Sequence, residues 1–413
     1  MATPFTVSVM PSSGDFSSLN AALVACECDL TAASTGVFSI TGGITGTMTD
    51  NTSVTGLTSG ATGTCVHASS VNSQILIISI SGTFQNGEIV YETLGTNYVT
   101  LGSVRASPYL NIKIDGTWSS PDTTAVTISG YTCSSTNYIN IYTTPTARHN
   151  GTVSQGYMLY PSSSGANCIG TLAPIYLNIT GLILKTRVQA YSSPSCIFLG
   201  YQGTSFYISD NILISDNGTI NHSSTTGVQS YNNHGSVYVW NNLIYALQGT
   251  NSCGILSGGN YYDNIFVYNN TVVNCVVGIN AQGTTKPVWL IKNNICVNNS
   301  TADYSFTNSS VFSSLSTNNL SSDATCPNIG TYHTGATVTF VNSGSGNFNL
   351  GASDTGATGL GANLSADTYI PFSNDIVGTS RTVPWDIGAF KATTVAVSAK
   401  GIMNLKTGWW GDI

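Results

Sequence analysis

Charged residues are scarce in this chain of 413 residues. Lys and Arg number 11 and Asp and Glu number 18, so 7% of residues are charged and the formal net charge is −7. Soluble globular proteins have about 25% charged residues. Nucleic-acid binding depends on clustered Lys and Arg that neutralise phosphates. We therefore expect no nucleic-acid partner.

Long apolar runs are also absent. No stretch approaches the ~18 apolar residues needed to cross a bilayer, so we expect no membrane partner. The first residues, Met1 to Val7, contain neither a basic region nor an apolar run, so no secretory signal is predicted. The hydrophobic fraction of 41% is nevertheless too high for a disordered polar chain.

Residues suited to acid–base catalysis are few. The chain has three Glu and fifteen Asp, most of them isolated. Glycoside hydrolysis needs two carboxyl groups about 5 to 9.5 Å apart, and lyase chemistry needs a carboxylate-bound Ca²⁺ with a nearby base. The residues that could converge on neighbouring coils, if the chain turns between them, are Asp210, Asp216, His222 and His234. We predict no catalytic residue, no metal site and no cofactor.

Ten cysteines are spread along a chain much longer than the small secreted domains that depend on disulfides. Several of them lie within apolar, strand-like runs, so we interpret them as buried and reduced. Cys26 and Cys28 are the only close pair. Without a second pair of ligands they do not predict a zinc site.

One short pattern recurs between residues 175 and 300. Apolar residues at alternate positions are followed by Asp or Asn, then by Asn, then by further apolar residues. The four clear copies contain Asn211, Asn242, Asn270 and Asn294, at spacings of 31, 28 and 24 residues. A degenerate earlier copy would place Thr180 in the Asn column, and a later copy would contain Asn318 and Asn319.

The repeat has a specific physical meaning. The positions five and three residues before the repeated Asn, and two residues after it, are apolar or Cys in all four copies. Alternate side chains of a strand point to one side, so the strand is predicted to bend at the Asn and to continue on the next face. Each repeat is then one coil, and coils are stacked about 4.8 Å apart.

The four asparagines are predicted to form a hydrogen-bonded ladder that satisfies buried polar groups at the bend. Asp210 lies in a column otherwise occupied by Asn, which favours a role in the turn over catalysis. An antiparallel sandwich also contains many short strands. It does not predict inward columns that repeat from copy to copy.

The copies and a C-terminal stretch resemble the right-handed parallel β-helix (pectate-lyase-like) repeat family. Residues 375–390 contain D-x-x-G-x-x-R followed by D-I-G-A-F, which is similar to a closure found in such proteins, with Lys391 in place of the usual final Glu. Within this closure we interpret Asp375, Arg381 and Asp386 as a structural ion pair. Residues 14–23 read G-D-F-x-S-L-x-x-A-L and resemble the N-terminal cap of β-helix proteins, many of them encoded by tailed bacteriophages.

We therefore predict an all-β chain that forms a right-handed parallel β-helix, a solenoid with a short N-terminal capping helix and a C-terminal tail. The predicted boundaries are 1–70 for the cap and first strands, 71–391 for the β-helix and 392–413 for the tail. About 320 residues at about 25 per coil would give about thirteen coils and a rod about 60 Å long. Trp409 and Trp410 in the tail are candidate docking residues, because aromatic anchors are typical of binding hot spots.

The expected function is that of a structural protein on the virion surface of a tailed bacteriophage, made in the host cytoplasm. It would be a capsid decoration protein or a short spike without catalysis, in contact with other virion proteins. The resemblance to phage spikes implies a homo-oligomer such as a trimer.

Two alternatives remain open. The first is a tailspike-like protein that binds or degrades host-surface carbohydrate, using its many Tyr and Trp as platforms for sugar rings. The second is a cell-surface adhesin, which would need an export signal that the sequence does not contain.

Overall fold

The computed structural model describes residues 2–188, 192–200, 205–216, 224–231, 235–257, 264–281, 288–306 and 311–392. The elements before residue 102 are β1 (Thr3–Val9), α1 (Leu19–Ala25), β2 (Gly36–Thr45), β3 (Thr52–Gly56), β4 (Thr62–Ser69), β5 (Gln74–Ser81), β6 (Ile89–Thr93) and β7 (Asn97–Leu101).

The next strands are short. They are β8 (Pro108–Ile114), β9 (Val126–Ile128), β10 (Ile139–Thr143), β11 (Met158–Leu159), β12 (Ile169–Thr171), β13 (Leu177–Thr180), β14 (Ile183–Thr186), β15 (Ser195–Leu199), β16 (Ser205–Ser209), β17 (Ile212–Ser215), β18 (Thr226–Ser230), β19 (Ser236–Trp240), β20 (Leu243–Tyr245), β21 (Cys253–Ser257), β22 (Asn264–Tyr268), β23 (Thr271–Val273), β24 (Val277–Ala281), β25 (Val288–Lys292), β26 (Ile295–Val297), β27 (Ala302–Phe306), β28 (Asn319–Ser321) and β29 (Tyr332–His333). A final hairpin contains β30 (Phe340–Asn342) and β31 (Asn347–Leu350) around a short 3₁₀ turn, Ser343–Ser345.

Three long parallel sheets dominate the structure. Sheet 1 has the order β1-β8-β10-β13-β16-β19-β22-β25, sheet 2 has the order β11-β14-β17-β20-β23-β26-β28-β29, and sheet 3 has the order β27-β24-β21-β18-β15-β12-β9. From β13 to β27 the chain visits sheets 1, 2 and 3 in turn, so each circuit forms one coil. The nearly all-β architecture with parallel sheets is confirmed, and it is consistent with a solenoid.

The core lies between the three sheets. All twelve positions predicted to point inward are at most 2% exposed, and all belong to one apolar cluster. They are Phe206, Ile208, Leu213, Val237, Val239, Ile244, Ile265, Val267, Val272, Trp289, Ile291 and Cys296. The parallel register places Ile208, Val239 and Val267 next to one another on successive strands of sheet 1.

A single α-helix is present in the part of the chain that the structure describes. The hydroxyl of Ser18 accepts a hydrogen bond from the amide of Ala21 at 3.2 Å and caps the start of α1. Leu19, Ala22 and Leu23 are buried in the apolar cluster between the three sheets. The helix therefore covers apolar side chains of the first coil.

Residues 36–101 form a closed antiparallel barrel, with strand order β2-β5-β4-β3-β6-β7 and a separate apolar core. This barrel lies in the chain between β1 and β8, which pair with each other in parallel. The predicted boundary at residue 70 lies in the turn between β4 and β5, within this barrel. The connections within the barrel are short, and strands joined by short turns pair antiparallel, whereas parallel pairing needs a longer crossover.

The barrel also protects the outer edge of β1. The Gln74 side chain donates from Nε2 to the carbonyl of Pro4 and accepts at Oε1 from the amide of Thr6, both at 2.8 Å. The carboxylate of Asp15 accepts from the amide of Ser8 at 2.8 Å. These side chains take the place of a neighbouring strand, so this edge is not free to pair with another chain.

Residues 334–392, here called the closing segment, run along the outside of the sheets. Phe348, Ile376 and Phe390 pack on the outer side chains of sheet 2, such as Ile212 and Leu243. The closing segment and part of the barrel lie within residues 71–391, which were expected to form coils. Sheet 1 therefore has eight strands, about 34 Å at the usual strand spacing, and the expected thirteen coils and 60 Å rod were wrong.

Candidate functional site

The four asparagines of the repeat are stacked at the corner between sheets 1 and 2, and none is exposed. Oδ1 of Asn242 accepts from the amide and from Nδ2 of Asn211, at 3.0 and 3.1 Å. Asn270 accepts in the same way from Asn242, and Asn294 accepts from Asn270. Asn319 adds a fifth member by accepting from Asn294 at 3.2 and 2.9 Å.

The earlier degenerate copy has a different register from the predicted one. Thr180 pairs with Ser209, and it is the amide of Leu182 that donates to Oδ1 of Asn211, at 2.9 Å. The placement of Thr180 in the Asn column was therefore wrong by two residues. Gly181 has a φ of 86°, and this left-handed glycine is the sequence signal that would have located the corner.

The residue before each ladder asparagine has a different role. These residues adopt the left-handed conformation that Asp and Asn tolerate, with φ between 50° and 56°; they are Asp210, Asn241, Asn269, Asn293 and Asn318. The four asparagines among these preceding residues donate from Nδ2 to carbonyls of the closing segment. The bonds are Asn241 to Asn374 (2.8 Å), Asn269 to Gly388 (3.0 Å), Asn293 to Ala362 (2.8 Å) and Asn318 to Leu360 (2.6 Å). One asparagine of each pair thus connects coils, and the other fastens the closing segment.

The prediction that Asp375, Arg381 and Asp386 form an ion pair is wrong, because none of the salt bridges within 4 Å in the described residues involves Arg381. The Arg381 guanidinium instead donates to the carbonyls of Gly388 (2.8 Å) and Ala389 (3.0 Å) and to Oδ1 of Asn241 (3.1 Å). Burial lowers the pKa of Arg381 to about 10.

The two carboxylates of the closure hold backbone amides. Asp375 accepts from the amides of Val377 and Thr379 through Oδ1 and from that of Lys391 through Oδ2. Asp386 accepts from the amide of Ala392 at 2.8 Å. The closure motif is therefore a set of buried backbone contacts.

The residues weighed for catalysis are not brought together in the described part of the chain. Asp210 and Asp216 lie at opposite ends of β17, and Asp216 accepts from the hydroxyl of Tyr160 at 3.0 Å. Burial raises the pKa of Asp210 to about 6, although the ion pair with Arg148 at 3.1 Å acts in the opposite direction. His222, His234, Trp409 and Trp410 lie outside the described residues.

The cysteines and the described acidic groups offer no metal cluster. All ten cysteines are free, and nine are buried; burial raises the pKa of the Cys28 thiol to about 12. Within the described ranges, no group of three His, Cys, Asp or Glu side chains is placed to hold a metal. No helix in those ranges is long and apolar enough to span a bilayer.

One candidate site in the described part of the chain is a groove of about 380 Å³ on the outer face of sheet 1. Inward side chains fill the core, so the residues between them on each strand point outward. The groove is lined by four aromatic and two amide side chains, among others: Tyr138, Tyr176, Tyr207, Trp240, Asn140 and Asn178. We call this cavity the sheet-1 groove.

Rings on neighbouring strands are stacked along this face. Tyr207 and Tyr238 have ring centroids 4.6 Å apart and an interplanar angle of 1°, and Phe266 stacks on Tyr238 at 4.7 Å. Tyr369 of the closing segment stacks on Phe266 at 4.7 Å and ends the row. The ring spacing equals the strand spacing because each ring occupies the same register position on its strand.

Comparison with known proteins finds no matching family model, no similar curated protein and no similar solved structure. The geometry of the sheet-1 groove and the chemistry of its side chains are therefore the basis for a proposed function.

Proposed function

We propose that this protein is a structural solenoid that binds carbohydrate in the sheet-1 groove. The observation that carries the proposal is the lining of the groove, in which the rings of Tyr138, Tyr176, Tyr207 and Trp240 lie beside outward amides. Aromatic faces pack against the apolar faces of sugar rings, and nearby polar groups set orientation and specificity. Tyr207 and Asn178, adjacent in the parallel register, supply one group of each kind.

The groove is also rigid, which favours binding. Its side chains project from strands whose opposite face is fully buried, such as Ile208 and Val239. Because the backbone and the stacked rings are already ordered, little conformational entropy is lost when a ligand binds. The groove has few charged residues near it, so we expect it to take neutral polysaccharide.

Alanine substitutions in the groove test this proposal. Binding of purified bacterial surface polysaccharides and defined oligosaccharides would be measured by calorimetry for the native protein, Tyr207→Ala and Tyr176→Ala, two residues that line the groove. We expect each substitution to weaken binding by about tenfold or more. Tyr231→Ala is the matched control, because Tyr231 is 45% exposed and follows a strand of sheet 3.

Two results would overturn the proposal. One is that the native protein binds no glycan in the panel. The other is that Tyr207→Ala and Tyr176→Ala bind as tightly as Tyr231→Ala, because the bound surface would then lie elsewhere.

We propose binding without cleavage. Two carboxylates line the neighbouring cavity that shares Trp240 with the groove. Asp210 is paired with Arg148 through Oδ2, and Asp375 accepts from backbone amides. Incubation of the bound polysaccharide with the protein, followed by size-exclusion chromatography, should leave its chain length unchanged. Shortened chains would contradict this and would favour a depolymerase.

The second candidate function is placement on a virion. We propose that the coil is right-handed and that the protein is a decoration protein or short spike of a tailed bacteriophage. The resemblance of the closure and of the capping sequence supports this, together with the protected edge of β1. Antibody labelling of purified particles tests it, and labelling confined to the surface of bacterial cells would favour an adhesin instead.

A further inference from the structure

A second pocket opens beside the sheet-1 groove, between the corner of sheets 1 and 2 and the closing segment. Its volume is about 560 Å³, and its walls include Arg148, Asp210 and Trp240 from the coils and Phe372, Asn374 and Asp375 from the closing segment. Trp240 also lines the groove. A chain that lies in the groove can therefore extend into this corner pocket.

The polar wall of the corner pocket is incompletely satisfied. Nη2 of Arg148 contacts Oδ2 of Asp210 at 3.1 Å and donates to the carbonyl of Ile376 at 3.0 Å. Nε of Arg148 and Oδ1 of Asp210 are buried and have no hydrogen-bond partner. Buried polar atoms are nearly always paired, so these two side chains of the pocket wall have one donor and one acceptor left for a partner.

The charges of the corner pocket restrict what that partner is. A carboxylate or phosphate would pair with Arg148 but would be repelled by Asp210 and Asp375. An ammonium group would be repelled by Arg148. A hydroxyl group both donates and accepts. Uncharged hydroxyl groups can therefore accept from Nε of Arg148 and donate to Oδ1 of Asp210.

The apolar walls add a second requirement. Trp240 and Phe372 present ring surfaces to the same cavity, and such surfaces pack against the carbon face of a sugar ring. We propose that the corner pocket binds one neutral, hydroxyl-rich sugar residue of the chain held in the sheet-1 groove. This inference rests on the proposed carbohydrate binding. It adds the position at which one sugar residue is bound and the charge class of that sugar.

The test uses Asp210→Asn in the full chain. Asn already occupies the equivalent left-handed position in the next three coils, at Asn241, Asn269 and Asn293, so the substitution is compatible with the turn. Affinities for matched oligosaccharides that end in a neutral hexose or in a uronic acid would be measured. The native protein should prefer the neutral ligand, and Asp210→Asn should shift the ratio towards the acidic ligand by about tenfold or more.

A second measurement needs no variant. Methyl hexosides should compete with the bound oligosaccharide. The corresponding methyl hexuronides should have an inhibition constant about tenfold higher or more. A native preference for acidic or amino sugars would overturn the inference. So would an unchanged ratio in Asp210→Asn while Tyr207→Ala still loses binding, which would leave the proposed function intact. If Tyr207→Ala and Tyr176→Ala have no effect, the groove itself is not the site and both proposals fail.

Discussion

At the scale of single residues, the two side chains of each Asn-Asn pair have different roles: one contacts the closing segment and the other connects coils. Asn270 is fully buried and connects two coils, whereas the preceding Asn269 holds the closing segment through the carbonyl of Gly388. The left-handed φ of Asn269 turns the two side chains in different directions. The pair is therefore the unit that joins the coils to the segment outside them.

Asn270→Ala tests the ladder. Nδ2 of Asn270 donates to the carbonyl of Val239 at 2.9 Å, and its Oδ1 accepts from the amide of Asn242 at 3.0 Å. Removal leaves both groups buried without partners, so we expect a loss of about 3 kcal/mol in the free energy of unfolding. Urea denaturation followed by circular dichroism measures it.

Asn178→Ala is the control for this measurement. Asn178 is half-buried on the outer face of sheet 1, and its substitution should change the free energy of unfolding by less than about 0.5 kcal/mol. Equal effects of the two substitutions would contradict a special role for the ladder.

His67 is a second residue whose role can be measured. Its Nδ1 lies 2.8 Å from Oδ1 of Asp50, its Nε2 lies 4.0 Å from Oδ1 of Asp15, and its ring packs on Phe16. Burial alone would lower the pKa of His67, but the Asp15 and Asp50 carboxylates outweigh it and raise the pKa to about 9. The charged imidazole thus joins the barrel to the loop before α1.

The pKa of His67 in the folded state is above its unfolded value. Its stabilising contribution is therefore complete below about pH 6.5 and is lost as the pH rises through about 9. We expect the melting temperature to fall between pH 7 and pH 10, with a loss on the order of 2 kcal/mol. His67→Asn should be less stable at pH 7 and should remove this part of the pH dependence; an unchanged pH profile would contradict the assignment.

At the scale of elements, the closing segment is the part that distinguishes this molecule from a bare stack of coils. It covers apolar outer positions of sheet 2, such as Ile212 and Leu243, and it supplies Tyr369 at the end of the aromatic row. Its own regular structure is limited to one hairpin. Its position therefore depends on side-chain contacts with the coils, above all those of Arg381.

Arg381→Lys tests this dependence. The guanidinium is 8% exposed and donates to several carbonyls at once, and an ammonium group cannot reproduce that planar geometry. We expect a loss of about 2 to 4 kcal/mol in stability and faster hydrogen exchange in residues 360–390. Lys391→Met, which removes an exposed side-chain bond to Ser380, should leave both unchanged.

At the scale of the whole molecule, the predicted homo-oligomer and docking tail remain predictions. A chain truncated after residue 392 keeps every residue of the described apolar clusters, so we expect it to keep the melting temperature of the native protein. It should lose attachment to virions if Trp409 and Trp410 are docking residues. Light scattering should give about three times the chain mass of 43.1 kDa for a trimer.

Attachment of the truncated chain at the native level would contradict the docking role of the tail. A mass of 43.1 kDa for the native protein in solution would contradict the trimer. The two measurements are independent, since a tail can dock a monomer.

The sequence by itself determined the coil. Inward positions such as Ile208 and Val267 alternate along each strand, and Asp-Asn or Asn-Asn pairs mark five successive corners between sheets 1 and 2, from Asp210 to Asn319. These signals are local, because each strand carries its own pattern of burial and each bend needs its own left-handed residue. Residues a few positions apart were therefore enough to predict parallel coils and a short capping helix.

The barrel, the path of the closing segment and the corner pocket were decided by the tertiary structure alone. The barrel at residues 36–101 depends on which distant strands pair, and the path of the closing segment depends on which outer side chains it covers. The corner pocket exists only where Arg148, Asp210 and Phe372, far apart in the chain, meet. Such contacts leave no periodic pattern in the sequence, because they are made between surfaces and not along a strand.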